Sequence, residues 1–329
     1  MNKLASAMQQ KDKIYKIYRK IRYPLYRKKK NRLYQEVENE DKVSVLVKTD
    51  RMNKIVVSLT TYAPRFSGIP LVVKSILLQS VLPDKIIIWC DDEEESLPDE
   101  LLSLRKYGVE FKKAKDNLGP HKKYFYALQE YKDDIVILLD DDLVYPHDLI
   151  ESLLKSYRKH PDCISARRVH KMKLDADDMI SKYSSWLGEY DFSTTPSHMY
   201  MATTGAGTLI PPNIFNGLEQ VFNKKVILDK CFYSDDIWLK YMEILNDIKV
   251  VWVPNKMPMP PEIMESQDSS LKKSNVFENR NDKYIVNMNE LYGSEVSRIL
   301  KEHKDSGLKR ILLEIVEKTL GRPIYNWGK

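Results

Sequence analysis

Asp140, Asp141 and Asp142 stand side by side directly after five apolar residues, Ile135 to Leu139. Three adjacent carboxylates repel one another unless a cation neutralises them. Oxygen ligands suit Mg2+ or Mn2+, which bind through one or two carboxylates while substrate phosphates complete the shell. The pattern therefore predicts a divalent-metal site for a nucleoside diphosphate. A solvated acidic turn is the plainer reading, but such a turn needs no deeply apolar run behind it. A second acidic pair, Asp235 and Asp236, opens a helical segment, where carboxylates serve either as caps or as a general base. Lys122 and Lys123 begin another helical segment. A lysine there reaches a diphosphate as a point charge beside the helix N-terminus, or else is simply solvated. His121, just before them, reads as a loop histidine within reach of phosphate.

These residues need a scaffold, and the apolar pattern supplies one. Lys54 to Tyr62 reads as a first buried strand, broken into a loop at Ala63-Pro64-Arg65. A helical repeat over Leu71 to Val81 precedes a second strand, Lys85 to Cys90, which ends in the acidic run from Asp91 to Glu95. A short helix over Pro98 to Tyr107, closed by Gly108, leads to a third strand, Val109 to Lys115. Lys122 to Tyr131 is helical, Ile135 to Leu139 is the strand before the Asp triplet, and Pro146 to His160 is helical again. A run bounded by charge on both sides is the mark of a strand buried on both faces. The βαβ alternation with short connections argues for a parallel sheet covered by helices, with ligands at the carboxyl ends of its strands. Beyond Cys163 the alternation lapses. Residues 163–170 read as one more strand, Thr204 to Pro212 as a small-residue segment able to lie flat under a ligand, and Val250 to Val253 as a strand. Met257 to Pro261 is too rich in proline for regular structure. Residues 276–320 look helical, with an apolar stripe at Ile311, Leu312, Ile315 and Leu320.

Charge divides the chain unevenly. Residues 1–34 hold twelve Lys or Arg against the single acid Asp12, a net of about +11, so the remainder of a chain with total charge +6 is mildly acidic, near −5. Ile14, Tyr15, Ile17, Tyr18, Ile21, Tyr23, Leu25 and Tyr26 interleave with these bases. Apolar and aromatic side chains among Lys and Arg suit an anionic membrane surface. Nucleic acid is the competing partner for such a tail, and the interleaved tyrosines favour the membrane. A basic arm with no partner is the third option. Removal of residues 1–34 is expected to leave a folded domain. The three cysteines, Cys90, Cys163 and Cys231, have no zinc-ligand spacing and read as free thiols in a reducing, cytoplasmic setting. No run of 18 apolar residues exists to span a bilayer, and the first 30 residues lack the apolar core of a signal peptide.

Five features occur in order: the V-V-S-L-T-T-Y strand and loop, an acid after the second strand, the D-D-D cluster, a small-residue segment, and an Asp pair opening a helix. Over roughly residues 54–254 the chain resembles nucleotide-sugar glycosyltransferases of the GT-A fold, close in motif order to the inverting family 2 enzymes. Its N-L-G-P-H-K-K and G-A-G-T-L-I-P-P segments are similar to those of bacterial polysaccharide-type transferases. The resemblance implies an α/β fold: a GT-A-like, Rossmann-type, mostly parallel sheet with helices on both faces. A basic N-terminal extension (1–50) would precede the catalytic domain (51–262), and C-terminal helices (263–329) would follow it. By resemblance, Asp142 is the direct ligand of Mn2+ or Mg2+, and Asp140 lies near the ribose or reaches the metal through water. Thr60, Thr61, Tyr62 and Arg65 hold the nucleotide with Asp141, Asp91 meets the base, and Lys122 meets the diphosphate. Gly205, Ala206 and Gly207 face the acceptor. Asp236 is the catalytic base, with Asp235 orienting the site or touching the acceptor. The implied activity is inverting transfer from a UDP-sugar to a glycan or lipid-linked acceptor in surface polysaccharide (capsule) synthesis, peripheral at the inner face of the cell membrane. One departure is visible. Many GT-A enzymes add a late His as a metal ligand, and after His198 this chain has only His303, so phosphates and water, or a substitute residue, must complete the shell. A sugar nucleotidyltransferase is the first alternative, but its Gly-rich loop is missing, since the first glycine after the strand is Gly68. An inactive glycan-binding scaffold is the second, and intact Asp142 and Asp236 argue against it.

Overall fold

The computed structural model describes residues 2–263 and 280–320. Its strands are β1 (Ile55–Thr60), β2 (Lys85–Cys90), β3 (Val109–Lys113), β4 (Ile135–Leu139), β5 (Cys163–Ala166), β6 (Val169–Lys171), β7 (Tyr200–Ala202), β8 (Ala206–Ile210) and β9 (Lys249–Trp252). Its helices are α1 (Asn2–Asn39), α2 (Ile69–Leu77), α3 (Asp99–Leu102), α4 (Lys122–Phe125), α5 (Ala127–Glu130), α6 (Leu149–Lys159), α7 (Lys224–Lys230), α8 (Asp235–Leu245) and α9 (Arg280–Leu320).

Seven strands form the central sheet in the order β3-β2-β1-β4-β8-β5-β9. The first four are parallel, β8 runs antiparallel to β4 and β5, and β5 pairs in parallel with β9. Alternation along the strands assigns the two faces. Val57, Leu59, Ile135 and Ile137 pack with Val72, Val73 and Ile76 of α2 and Leu149, Ile150 and Leu153 of α6. Val136 and Leu138 turn the other way, into a core with Trp238 and Met242 of α8 and Ile285 and Met288 of α9. Burial on both faces is why these strands read as unbroken apolar runs. The direction of winding reverses where β1 lies between β2 and β4, which opens a crevice at the carboxyl ends of β1 and β4.

Several boundaries differ from the sequence expectation. The helix expected over Leu71 to Val81 begins at Ile69, with Pro70 in its first turn, and ends at Leu77. The segment Lys122 to Tyr131 breaks at Tyr126 into two four-residue helices. The stretch Thr204 to Pro212 does not lie flat: Ala206–Ile210 is β8, fully buried between β4 and β5. Its register with β4 slips between Leu138 and Leu139, so the chain diverges just where Asp140 begins. The C-terminal region is one helix, α9, among the described residues, and its expected stripe at Ile311, Leu312, Ile315 and Leu320 lies outside the described side chains.

The N-terminal tail also departs from the picture of a detachable arm. The side chains of residues 1–16 and of Tyr18, Arg19 and Arg22 lie outside those described. From Tyr26 onward, Tyr26, Lys30, Leu33, Tyr34 and Val37 face inward, while Arg27, Lys28, Lys29 and Arg32 are exposed. The 26, 30, 33, 37 spacing is one face of a helix. Leu33 and Val37 join the same core as α2, so residues 33 and 34 belong to the folded body. No described helix is long and apolar enough to cross a membrane.

Candidate active site

The crevice between β1 and β4 deepens into a cavity of about 640 Å3. Thr60, Thr61, Tyr62 and Arg65 enter it from the loop after β1, Asp91 from the end of β2, and Asp140, Asp141 and Asp142 from the end of β4. Lys122 and Lys123 reach it from α4, Thr204, Gly205 and Ala206 from the approach to β8, and Asp235 and Asp236 from the first turn of α8. Every residue singled out from the sequence borders this space except two. Gly207 is turned away, and a Cβ there would lie 2.7 Å from Leu149 Cδ1 of α6. It packs the sheet against the helix, and its φ of 107° is one that side-chain-bearing residues rarely adopt. His121 is the second. It is wholly buried, with Nε2 at 2.9 Å from the Cys231 carbonyl and Nδ1 at 3.1 Å from Tyr124 Oη. Burial pushes its pKa down to about 4, so it is a neutral core histidine and not a phosphate contact.

Ion pairs order the side of the cavity formed by the ends of β1, β2 and β4. Arg65 binds Asp141 and lies 3.3 Å from Asp142. Lys122 pairs with Asp91 at 2.6 Å, so the two residues expected at diphosphate and base hold each other in this state. Neither lysine is solvated: Lys122 and Lys123 are each 3% exposed. Lys123 Nζ lies 2.6 Å from Asp140 Oδ1 and 3.0 Å from Asp235 Oδ2, which ties the Asp triplet to the α8 pair through one buried cation. Burial alone would lower the Lys123 pKa, but Asp140, Asp235 and Asp236 outweigh it and hold the ammonium charged.

The triplet is aimed by backbone contacts. Asp140 N donates to Tyr145 Oη at 2.7 Å, and the same hydroxyl lies 2.7 Å from the Gly205 carbonyl. A Cβ on Gly205 would fall 1.7 Å from Asp140 Oδ2, so only glycine admits the carboxylate at this place. Burial, then Asp140, pushes Asp142 up to about 7 against the pull of Arg65, and Glu262 adds to the rise. Glu262 arrives because Pro261–Ile263 pairs with the chain after β4: Val144 N donates to the Pro261 carbonyl and Ile263 N to the Asp142 carbonyl. Asp142, Glu262 and Asp140 are oxygen donors lining one cavity, and their donor type suits a hard divalent cation once Arg65 and Lys123, which hold Asp142 and Asp140 in this state, give way. Glu262 escaped notice because it follows the Pro-rich Met257–Pro261 stretch, and only the tertiary pairing brings it beside the triplet. His198 and His303 do not line the cavity.

The two α8 carboxylates are not caps; their hydrogen-bond partners are Thr204 and Lys123. Asp236 Oδ1 accepts from Thr204 N at 2.9 Å, and Thr204 Oγ1 lies 2.7 Å from it and 2.9 Å from Asp235 Oδ2. One hydroxyl proton serves only one of the two at a time. Burial alone would raise Asp235, but Lys123 and then His121 draw it below the usual carboxylate range. Asp236 goes the other way, pushed up to about 7 by burial and by the charge of Asp235. A fixed carboxylate beside one that takes protons near neutral pH is the arrangement a general base needs. The sequence reading took Lys123 as a diphosphate contact or a solvated lysine and Thr204 as the start of a small-residue segment, and no local pattern marks their ties to the α8 pair.

Residues 59–213 match the family model described as Glycosyl transferase family 2. The chain carries a glycosyltransferase family 2 domain. The match runs from β1 to just past β8, so α8 and Glu262 lie beyond it. No curated protein matches the sequence. Among solved structures, the chain is similar to GalNAc-T7 with UDP, GalNAc and Mn2+, at 13% identity and a TM-score of 0.44, over 63% of this chain and 43% of that one. It is also similar to the mannosyltransferase PcManGT from Pyrobaculum calidifontis in complex with GDP-Man and Mn2+, at 11% identity and a TM-score of 0.41, over 76% and 68%. Residues 1–349 of TarS from S. aureus give 13% identity and a TM-score of 0.46, over 75% and 69%. The chain thus spans less than half the length of the first of these.

Proposed function

We propose that this protein transfers a sugar from a nucleoside-diphosphate donor, UDP in the first instance, to a hydroxyl of a glycan or lipid-linked glycan, with inversion, in the synthesis of a surface polysaccharide. The observation that carries this reading is the single cavity in which the Asp140–Asp142 triplet and the Asp235–Asp236 pair share Lys123. Asp142, Glu262 and Asp140 would hold Mn2+ or Mg2+, which supplies charge for the departing diphosphate when bound. Thr60, Thr61, Tyr62, Arg65 and Asp91 surround the nucleotide. Lys122, released from Asp91, turns to phosphate. Gly205 and Ala206 leave room for the acceptor, and Asp236 accepts the proton of its attacking hydroxyl. Asp235 remains ionised on Lys123 and, by its charge, keeps Asp236 basic. The experiment is donor hydrolysis and transfer by purified protein over a panel of nucleotide sugars with Mn2+, beside Asp142→Asn and Asp236→Asn. Turnover lost in both variants supports the enzyme; no turnover with any donor refutes it in favour of a binding scaffold.

We also propose that α1 docks the enzyme on anionic lipid. Its exposed Arg27, Lys28, Lys29 and Arg32 face away from the body while Tyr23, Tyr26 and Lys30 border the cavity. Each base near such a surface contributes about 1 kcal/mol, so a few engaged residues suffice. A site opening beside the membrane-facing helix favours a lipid-linked acceptor.

A further inference from the structure

Away from the cavity, three residues remote in sequence converge. His198 precedes β7, Asp247 sits in the turn after α8, and His303 lies on α9. His198 Nε2 is 2.8 Å from Asp247 Oδ1, and His303 Nε2 is 2.7 Å from the same oxygen. The candidate ligand atoms of all three lie within 4.8 Å of one another, and the two rings are tilted with centroids 4.3 Å apart. We propose that His198, Asp247 and His303 bind one Zn2+-type transition-metal ion, independently of the donor metal, and that this ion clamps α9 to the catalytic domain.

The donor chemistry supports a borderline ion and not a hard one. Two imidazole nitrogens and one carboxylate oxygen, with water in the fourth position, is an ordinary tetrahedral zinc set, whereas Mg2+ and Mn2+ favour oxygen. The site is built on one anchored ligand and two reachable ones. The His198 side chain is 3% exposed, whereas His303 is 32% and Asp247 66% exposed, so an ion and its water have an open approach. Zinc bonds of ~2.0–2.2 Å in tetrahedral geometry put donors roughly 3.3 Å apart. The present separations must open by about half an ångström, which the exposed Asp247 and the half-buried His303 permit. Asp247 holds φ at 55°, a left-handed conformation that Asp tolerates better than most residues, and its carboxylate oxygen meets the Nε2 edge of both rings. The nearby cation Lys240 is neutralised by Glu243 at 2.6 Å. Coordination through Nε2 leaves Nδ1 of each ring to carry the ring proton.

The clamp has a mechanical meaning. α9 lies along α8, with Tyr241 Oη 2.5 Å from Asn289 Oδ1 and Tyr233 N donating to Tyr284 Oη at 3.3 Å. Its first turn brings Asn281 to the cavity wall. An ion at His303 therefore fastens the helix whose other part borders the active site.

The test uses tag-free full-length protein stripped with a chelator and titrated with Zn2+ by calorimetry and by competition with a chromophoric chelator. One tight site per chain is expected, present equally in Asp142→Asn, and weakened at least 100-fold in His303→Ala and in Asp247→Asn. The second variant preserves side-chain size and guards against loss of fold. Zinc should raise the melting temperature of wild type and Asp142→Asn but not of His303→Ala, and Co2+ should give the visible spectrum of a tetrahedral N/O site. Tight zinc binding that survives His303→Ala and Asp247→Asn, or no tight zinc binding to wild type, overturns the proposal and leaves two imidazoles sharing a carboxylate.

Discussion

Replacing Asp236 by Asn should disable the proposed transfer and stabilise the fold at once, because the same burial that would make Asp236 a base works against its ionisation. Its pKa stands at about 7 against an ordinary 3.8. Between these values the folded protein holds a proton that the unfolded chain has lost. This group therefore costs stability progressively as pH rises through that window, and the cost levels off above about 7. At about 1.4 kcal/mol per pH unit, a gap of roughly 3 units sets a ceiling of about 4 kcal/mol. The side-chain oxygen of Asn still accepts from Thr204 N, so the substitution removes the charge and keeps the contact. Half the ceiling, about 2 kcal/mol, would move a urea midpoint by about 1 M. The assay is urea denaturation of wild type and Asp236→Asn at pH 5 and pH 8 in chelator, with transfer rates measured in parallel with Mn2+. Asp236→Asn should be the more stable at pH 8, with the difference shrinking at pH 5, and its transfer should fall by about 10²–10⁴. Asp235→Asn should be milder in rate, and it should lower the Asp236 pKa. Equal midpoints at pH 8 together with a near-normal rate would refute the assignment, since Asp236 would then be neither held against its charge nor used as the base.

Asp142→Asn should abolish Mn2+-dependent UDP binding in calorimetry with the fold intact, and Glu262→Gln should weaken it by a factor of about 10 or more, in line with the loss of a carboxylate beside the ion. Lys123→Met leaves Asp140 and Asp235 without their shared cation and should cost about 3–5 kcal/mol in chelator by denaturation. Gly205→Ala forces a methyl group into Asp140 and should depress activity far more than the melting temperature, as steady-state kinetics beside calorimetry would tell. The combined change Arg27→Glu, Lys28→Glu and Lys29→Glu should release the protein from anionic vesicles at low salt without loss of donor hydrolysis, whereas deletion through residue 39 also removes buried Leu33 and Val37 and should destabilise the domain by several kcal/mol, about 2–5 for a buried leucine alone.

The placement of the residues proposed to meet the donor was legible because their pattern is local. Ile135–Leu139 followed by Asp140–Asp142 is strand, strand end and carboxylate cluster in eight consecutive residues, and no distant contact is needed to see it. The loop after β1 and the acid after β2 were legible for the same reason. Each parallel strand was legible too, since each carries its own apolar run, but their order in the sheet came only from the tertiary structure. Legibility failed where a residue's role depends on what it meets. Gly207 and Gly205 look alike in sequence, yet one packs on Leu149 and the other admits Asp140. His121 beside two lysines looks like a phosphate ligand, and the Cys231 carbonyl takes it into the core instead.

What the sequence by itself determined, then, is the α/β alternation, the acidic triplet at a strand end, the acidic pair at a helix start, and the contrast between a basic tail and an acidic body. Each is a statement about residues a few positions apart, where periodicity and like charge act without help. Only the tertiary structure decided which carboxylate of the α8 pair stays ionised and which takes a proton near neutral pH. Lys123 lies 17 residues from Asp140 and 112 from Asp235, and one buried ammonium between them lowers Asp235 while burial and the remaining charge raise Asp236. It likewise brought Glu262 to Asp142 and seated α1 at the cavity rim. Electrostatic coupling depends on distance through space and on exclusion of water. Neither quantity is written along the chain.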